Sequence, residues 1–115
     1  MNFNEYQKKA MTTELMKRSA ILSAHDPAFV AKILGLVGEA GEVAEKFKKI
    51  VRDKNGVVSE EDKADIEKEL GDVLWYISAV ADYLGLTLEQ VADKNLQKLF
   101  SRRDRGVQKG SGDNR

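Results

Sequence analysis

Cysteine is absent from the 115-residue chain, so disulfides and thiolate metal sites are excluded and a reducing compartment fits. Proline occurs once, at Pro27, histidine once, at His25, and tryptophan once, at Trp75. No apolar run approaches the roughly 18 residues of a membrane span, and the N-terminus lacks the apolar core of a signal peptide. There is no excess of either charge. Nineteen basic and nineteen acidic residues cancel, which argues against a binder of nucleic-acid polymers or a membrane-surface protein. Strand-like alternation is missing apart from Gly56-Val57-Val58. These absences describe a cytoplasmic, single-domain, all-α protein.

What is present is helix periodicity, with apolar residues recurring at three and four. A first helix is expected from about Asn4 to Ser23, with Asn4 as N-cap and Gln7 completing a capping box. The second opens on Asp26 and Pro27. It carries Phe29, Ile33, Leu36, Ala40, Val43, Phe47 and Ile50 as a core stripe and stops at Asn55-Gly56. The third starts after Ser59 and carries Ile66, Leu70, Val73, Ile77, Val80 and Leu84 before Gly85. The fourth opens on Thr87 with Gln90 three residues on, and runs through Val91, Leu96, Leu99 and Phe100 to about Arg103. Four helices with short connections predict an antiparallel four-helix bundle over residues 1–105, oligomeric because so small a core favours a partner subunit. Residues 106–115 are polar and glycine-rich and read as a mobile tail.

One pattern occurs twice. Glu39-Ala40-Gly41-Glu42-Val43 lies in the second helix and Glu69-Leu70-Gly71-Asp72-Val73 in the third. In each, two acids spaced i, i+3 share a helix face. At about 100° per residue, Glu39 and Glu69 sit roughly 60° from the centre of their stripes, and Glu42 and Asp72 roughly 120°. Two helices packed through those stripes bring four carboxylates to one edge of the contact. Like charges there repel and require a cation or protons. An all-oxygen set suits Mg²⁺, or Mn²⁺, rather than Zn²⁺. One acid pair on a helix flank is ordinarily a solvated face; two pairs in matching phase, each around a glycine, point to a site. Gly38, Gly41 and Gly71 are interior to their helices at roughly 1 kcal/mol each, which close helix approach or room for a ligand would explain. Glu45, Glu60, Glu61, Asp62, Asp65 and Glu67 read as surface charge or helix-dipole complement.

The residues Gly38-Glu39-Ala40-Gly41-Glu42-Val43-Ala44-Glu45 and Glu67-Lys68-Glu69-Leu70-Gly71-Asp72-Val73-Leu74-Trp75-Tyr76 resemble the MazG-like family of all-α nucleoside triphosphate pyrophosphatases. That family carries E-x-x-E on one helix and E-x-x-D on the next. Leu84-Gly85-Leu86-Thr87-Leu88-Glu89 and Asn95-Leu96-Gln97-Lys98-Leu99 look like its continuation. The likeness covers residues 30–105 and, more loosely, the first helix. Several relatives have two adjacent acids where this chain has Gly38 and Glu39. The resemblance implies Mg²⁺-dependent hydrolysis of a nucleoside triphosphate to a monophosphate and pyrophosphate. It implies Glu39, Glu42, Glu69 and Asp72 as metal ligands and catalytic groups, and a homodimer or homotetramer.

The fourth helix adds Lys94, Lys98 and Arg102 at i, i+4 and i+8, with Asn95 beside them. They are candidates to hold the triphosphate, against the plainer reading of a salt-bridged surface. Trp75 falls opposite its apolar stripe and is expected to be exposed in a monomer, hence at a subunit interface or against a base. Tyr76, one turn beyond Asp72, is a candidate to line the nucleotide site. The sequence argues against a di-iron bundle, because the one histidine, His25, is not placed three residues after a glutamate. The competing class is a helical nucleotide-binding or regulatory protein without hydrolysis, which a nucleotide panel separates.

Overall fold

A computed structural model describes all 115 residues. It contains four helices and no strands: α1 Phe3–Met11, α2 Pro27–Lys54, α3 Glu60–Tyr83 and α4 Leu88–Asp104. No helix is long and apolar enough to cross a membrane.

The boundaries of α2, α3 and α4 follow from their caps. Asp26 accepts from the Ala28 N–H at 3.0 Å, and Pro27 takes the first helical position, where its missing N–H costs nothing. Asn55 ends α2 in the left-handed conformation at φ 52°. Ser59 and Asp62 form a reciprocal capping box on α3, and Thr87 and Gln90 another on α4.

The first helix departs from expectation. Its N-cap is Asn2, with Glu5 completing the box, and it ends at Met11 instead of Ser23. The hydroxyls of Thr12 and Thr13 donate to the Lys9 and Ala10 carbonyls at 2.6 and 2.7 Å, competing with continuation of the helix. Residues 14–25 then run without regular structure. Gln7 is not a capping residue but a buried staple. Its amide donates to the Ser78 and Leu86 carbonyls at 3.2 and 3.1 Å, and its oxygen accepts from the Leu88 N–H at 2.8 Å. One side chain thus joins α1 to α3 and to the start of α4.

Helices α2 and α3 pack along each other, α1 lies on α3 and α4, and α4 does not touch α2. Within one chain the four helices therefore do not enclose a common core. Only 11 of 115 residues are buried, too few for a chain of this size to hide its apolar residues alone. The seam of α2 is formed by Phe29, Lys32, Leu36, Glu39, Val43, Lys46 and Ile50. Three of the seven residues of the predicted α2 core stripe face outward instead: Ile33, Ala40 and Phe47 are exposed, as is Leu70 on α3. The observed seam is turned by about one residue toward the acids.

Where the short connection joins α2 to α3, Asp62 caps α3 and receives the Lys54 ammonium at 2.7 Å. The Lys54 bond, then the two Ser59 bonds, lower its carboxyl from 3.8 to about 2. A depressed carboxyl stabilises the fold above its unfolded value of about 3.9, and this is lost as pH falls through about 2. Asp62→Asn is expected to melt below the parent near neutral pH, with the gap closing between about pH 4 and about pH 2. Thermal melts across that window check it; a gap that stays constant with pH rules out the ionised carboxylate as its source.

Candidate metal centre

The rotated seam decides what happens to the acids. Glu39 on α2 and Glu69 on α3 become half-buried between the two helices, with Asp72 on the exposed margin. One carboxylate oxygen from each of these three lies within 4.8 Å of the others. Two oxygens bound to one divalent ion at roughly 2.0–2.6 Å are separated by at most about 5 Å, so the three could hold such an ion without moving apart. Glu42 is exposed and stands outside this group, one turn further along α2. Its charge still reaches Glu39. Burial first, then Asp72, Glu69 and Glu42, push the Glu39 carboxyl above its ordinary value. Glu39 itself makes no ion pair, a role a cation would fill.

Two neighbours of the cluster gave no signal in the sequence. Lys46, on the α2 seam, places its ammonium 3.7 Å from Glu69. Tyr6, on α1, lies close enough to Asp72 that its hydroxyl is pushed up by burial and then by that charge. Lys46 is one of several lysines in its helix, and Tyr6 is 66 residues from Asp72 in the chain; only packing brings either to the site.

The glycines divide differently from expectation. A methyl group at Gly38, Gly41 or Gly71 would meet nothing within 4 Å, so close helix approach within the chain does not explain them. The close approach is at Gly35, where an added Cβ would strike the Tyr76 ring. Tyr76 is thus packed on the backbone of α2, its ring edge-to-face with Trp75 at 4.9 Å. The expectation that one chain leaves Trp75 exposed is not met. Its indole N–H donates to Thr13 Oγ1 at 2.9 Å and to the Ala10 carbonyl at 3.2 Å, and Lys32 lies 5.8 Å from its ring centroid. The early end of α1 is what covers it.

Helix α4, which packs on α1 and α3 but not on α2, carries the candidate substrate groups. Lys94, Asn95 and Lys98 line an open groove of about 800 Å³ with Leu86, Gln90 and Val91. Arg102 is only 6% exposed. Because α4 does not touch α2, these cations stand on an element separate from Glu39 and Glu42. The polar tail folds back over the end of α4, and Asp113 lies 3.3 Å from both Lys98 and Arg102.

Comparison with known proteins identifies the family. The MazG nucleotide pyrophosphohydrolase domain matches residues 30–107, which include α3, α4 and all but the first turn of α2. The chain is 57% identical over 82 residues to the Gene 37 protein of Mycobacterium phage L5, covering 71% of this chain and 72% of the other. It is 32% identical over 84 residues to the uncharacterized protein YpjD of Bacillus subtilis (strain 168), covering 72% of this chain and 75% of that one. No solved structure matches. Paired acids on two adjacent helices, set in a domain match that runs through both of them, make this chain a member of the MazG nucleotide pyrophosphohydrolase family.

Proposed function

We propose that the protein is a Mg²⁺-dependent nucleoside triphosphate pyrophosphohydrolase, converting an NTP or dNTP and water to the monophosphate and pyrophosphate, in the cytoplasm and in the service of nucleotide-pool cleaning. The convergence of Glu39, Glu69 and Asp72 within 4.8 Å carries the reading. A bound divalent cation, Mg²⁺ or Mn²⁺, would supply charge neutralisation at the phosphate oxygens and a water of lowered pKa. Glu39, Glu69 and Asp72 would hold it, and Lys46 steadies Glu69. Glu42, exposed and outside the three-oxygen group, has room to take the proton of the attacking water. The water oxygen bonds to the α-phosphorus, the bond to the bridging oxygen breaks, and pyrophosphate leaves. Lys94, Asn95, Lys98 and Arg102 bind the leaving phosphates. Trp75 and Tyr76 serve chiefly as the packed wall behind the acids. A panel of nucleotides with Mg²⁺, following both monophosphate and pyrophosphate, tests this. Binding without either product would leave the binding-only class standing in its place.

We further propose that the working form is a homodimer or a homotetramer. Helix α2 has a second apolar stripe, Val30, Ile33, Val37, Ala40, Ala44, Phe47 and Val51, alternating steps of three and four. All seven are exposed, Val37 by 68% and Val51 by 69%. That spacing is the seam of a helix–helix contact, and a second copy offers the same stripe across a two-fold axis. Association also offers a way for α4 of one copy to approach the acids of another. Val37→Lys, harmless in a lone chain because the side chain faces water, is expected to lower the sedimenting mass toward a monomer and reduce activity with it. A parent protein that sediments as a monomer at micromolar concentration would count against this assembly.

A further inference from the structure

The tail is held to α4 by charge. Gly110 and Gly112, at φ 127° and 85°, let residues 106–115 turn back on the helix. Arg115 donates to the carbonyls of Gly112, Gln108 and Val107 at 2.6, 3.1 and 3.3 Å, and Arg105 donates to the Arg115 carbonyl at 2.7 Å. This hook delivers Asp113 to the two cations that read as phosphate ligands. Asp113 Oδ1 accepts from Lys98 Nζ and from Arg102 Nη2, both at 3.3 Å. Arg102 Nη2 also donates to the Gly112 and Asp113 carbonyls at 3.2 and 3.0 Å. Every hydrogen-bond partner of this buried guanidinium therefore comes from the tail. Its Nε–H is enclosed and has none. A buried donor left unmade is unfavourable, and a guanidinium fork is best satisfied by an oxyanion that takes Nε and Nη2 together. The tail engages Arg102 through Nη2 alone.

We propose that the tail is a built-in competitor, in which the Asp113 carboxylate stands where a phosphate group of the nucleotide binds Lys98 and Arg102, and must leave before the triphosphate is seated. This rests on the reading of α4 as the triphosphate-binding helix. The ligand class is a polyphosphate oxyanion, whose larger charge and forked oxygens outbid one carboxylate. Asp113 itself is 83% exposed, so its attachment is weak enough to be displaced.

The test is calorimetric binding of inorganic tripolyphosphate to the full chain without metal, comparing the parent with Asp113→Asn and with Lys98→Ala/Asp113→Asn. Asp113→Asn is expected to bind about threefold more tightly, the size of an exposed ion pair, and the double variant to lose that gain. KM for the nucleotide should fall by the same factor with kcat unchanged. An unchanged Kd in Asp113→Asn overturns the competition, as does tripolyphosphate failing to bind either protein. If no nucleotide is hydrolysed but Asp113→Asn still tightens tripolyphosphate binding, the pyrophosphohydrolase reading falls and the competition stands. If nucleotide is hydrolysed and Asp113→Asn changes nothing, only the competition falls.

Discussion

Asp72→Asn is expected to lose at least about a hundredfold in pyrophosphate release while melting, without metal, at or above the parental temperature. Even partners one shell away from a metal typically cost 10–100-fold when removed, so loss of a direct carboxylate ligand belongs at or beyond that range. The stability expectation comes from the same geometry. Three carboxylate oxygens within 4.8 Å repel one another, and Glu39 is already pushed toward its protonated form by burial and by its acidic neighbours. A carboxyl whose folded pKa is raised weakens the fold as pH rises through that pKa, so at neutral pH its charge is a liability. Glu39→Gln should therefore behave as Asp72→Asn does, losing activity while keeping or gaining stability. Paired measurement decides: metal-free melting, and pyrophosphate release with Mg²⁺. Variants that melt far below the parent would show the acids to be structural. Parental turnover in both would place the chemistry elsewhere.

Lys32→Met is expected to give the opposite pattern, a large loss of stability that begins at the cover over Trp75, two helical turns before Glu39. Lys32 is 4% exposed, and its ammonium lies 2.9 Å from Glu14 Oε2. That oxygen is itself enclosed and has no aligned hydrogen bond, so the pair is held by charge. Removing the lysine leaves a nearly buried carboxylate uncompensated, at a cost of about 3 kcal/mol. For a domain of this length that corresponds to a fall in Tm of roughly 12 °C. The local consequence is readable by fluorescence. Glu14 ends the segment that covers Trp75, whose indole is bonded to Thr13 and Ala10 and lies near Lys32. Its emission should shift toward that of a solvated indole before global unfolding. Lys32→Met/Glu14→Gln, which removes both charges, should recover much of the loss, and the coupling energy isolates the pair. The comparison is made at one protein concentration, since an oligomer's melting depends on it. A Lys32→Met variant within a degree or two of the parent would mean that Glu14 turns out to solvent freely.

Lys32 and Glu14 also mark where sequence reasoning stopped. Period and capping located α2, α3 and α4 because their signals are local: Asp26 before Pro27, Ser59 three residues before Asp62, Thr87 three before Gln90. The acid pairs were legible for the same reason, since residues at i and i+3 share a face in any helix. The length of α1 was not. Thr12 and Thr13 are compatible with a helix by propensity, and the turn away from it is rewarded by a buried pair with a residue eighteen positions on and by cover for a tryptophan still more distant.

Local pattern by itself determined that the chain is helical, where three of its helices start, and which acids share a face with which. Tertiary structure alone decided which of two stripes on α2 becomes the seam. Both repeat in steps of three and four, so periodicity does not separate them. The seam that α3 meets includes Lys32, Glu39 and Lys46 among apolar residues, while Ile33, Val37 and Phe47 are left outward. That choice brings Glu39 against Glu69 and Asp72, leaves Glu42 at the margin, and turns an apolar face to solvent. The physical reason is that a helix face is a local property of dihedral angles, whereas the distance between two faces is set by the side chains packed between them, here Tyr76 on the bare backbone of Gly35.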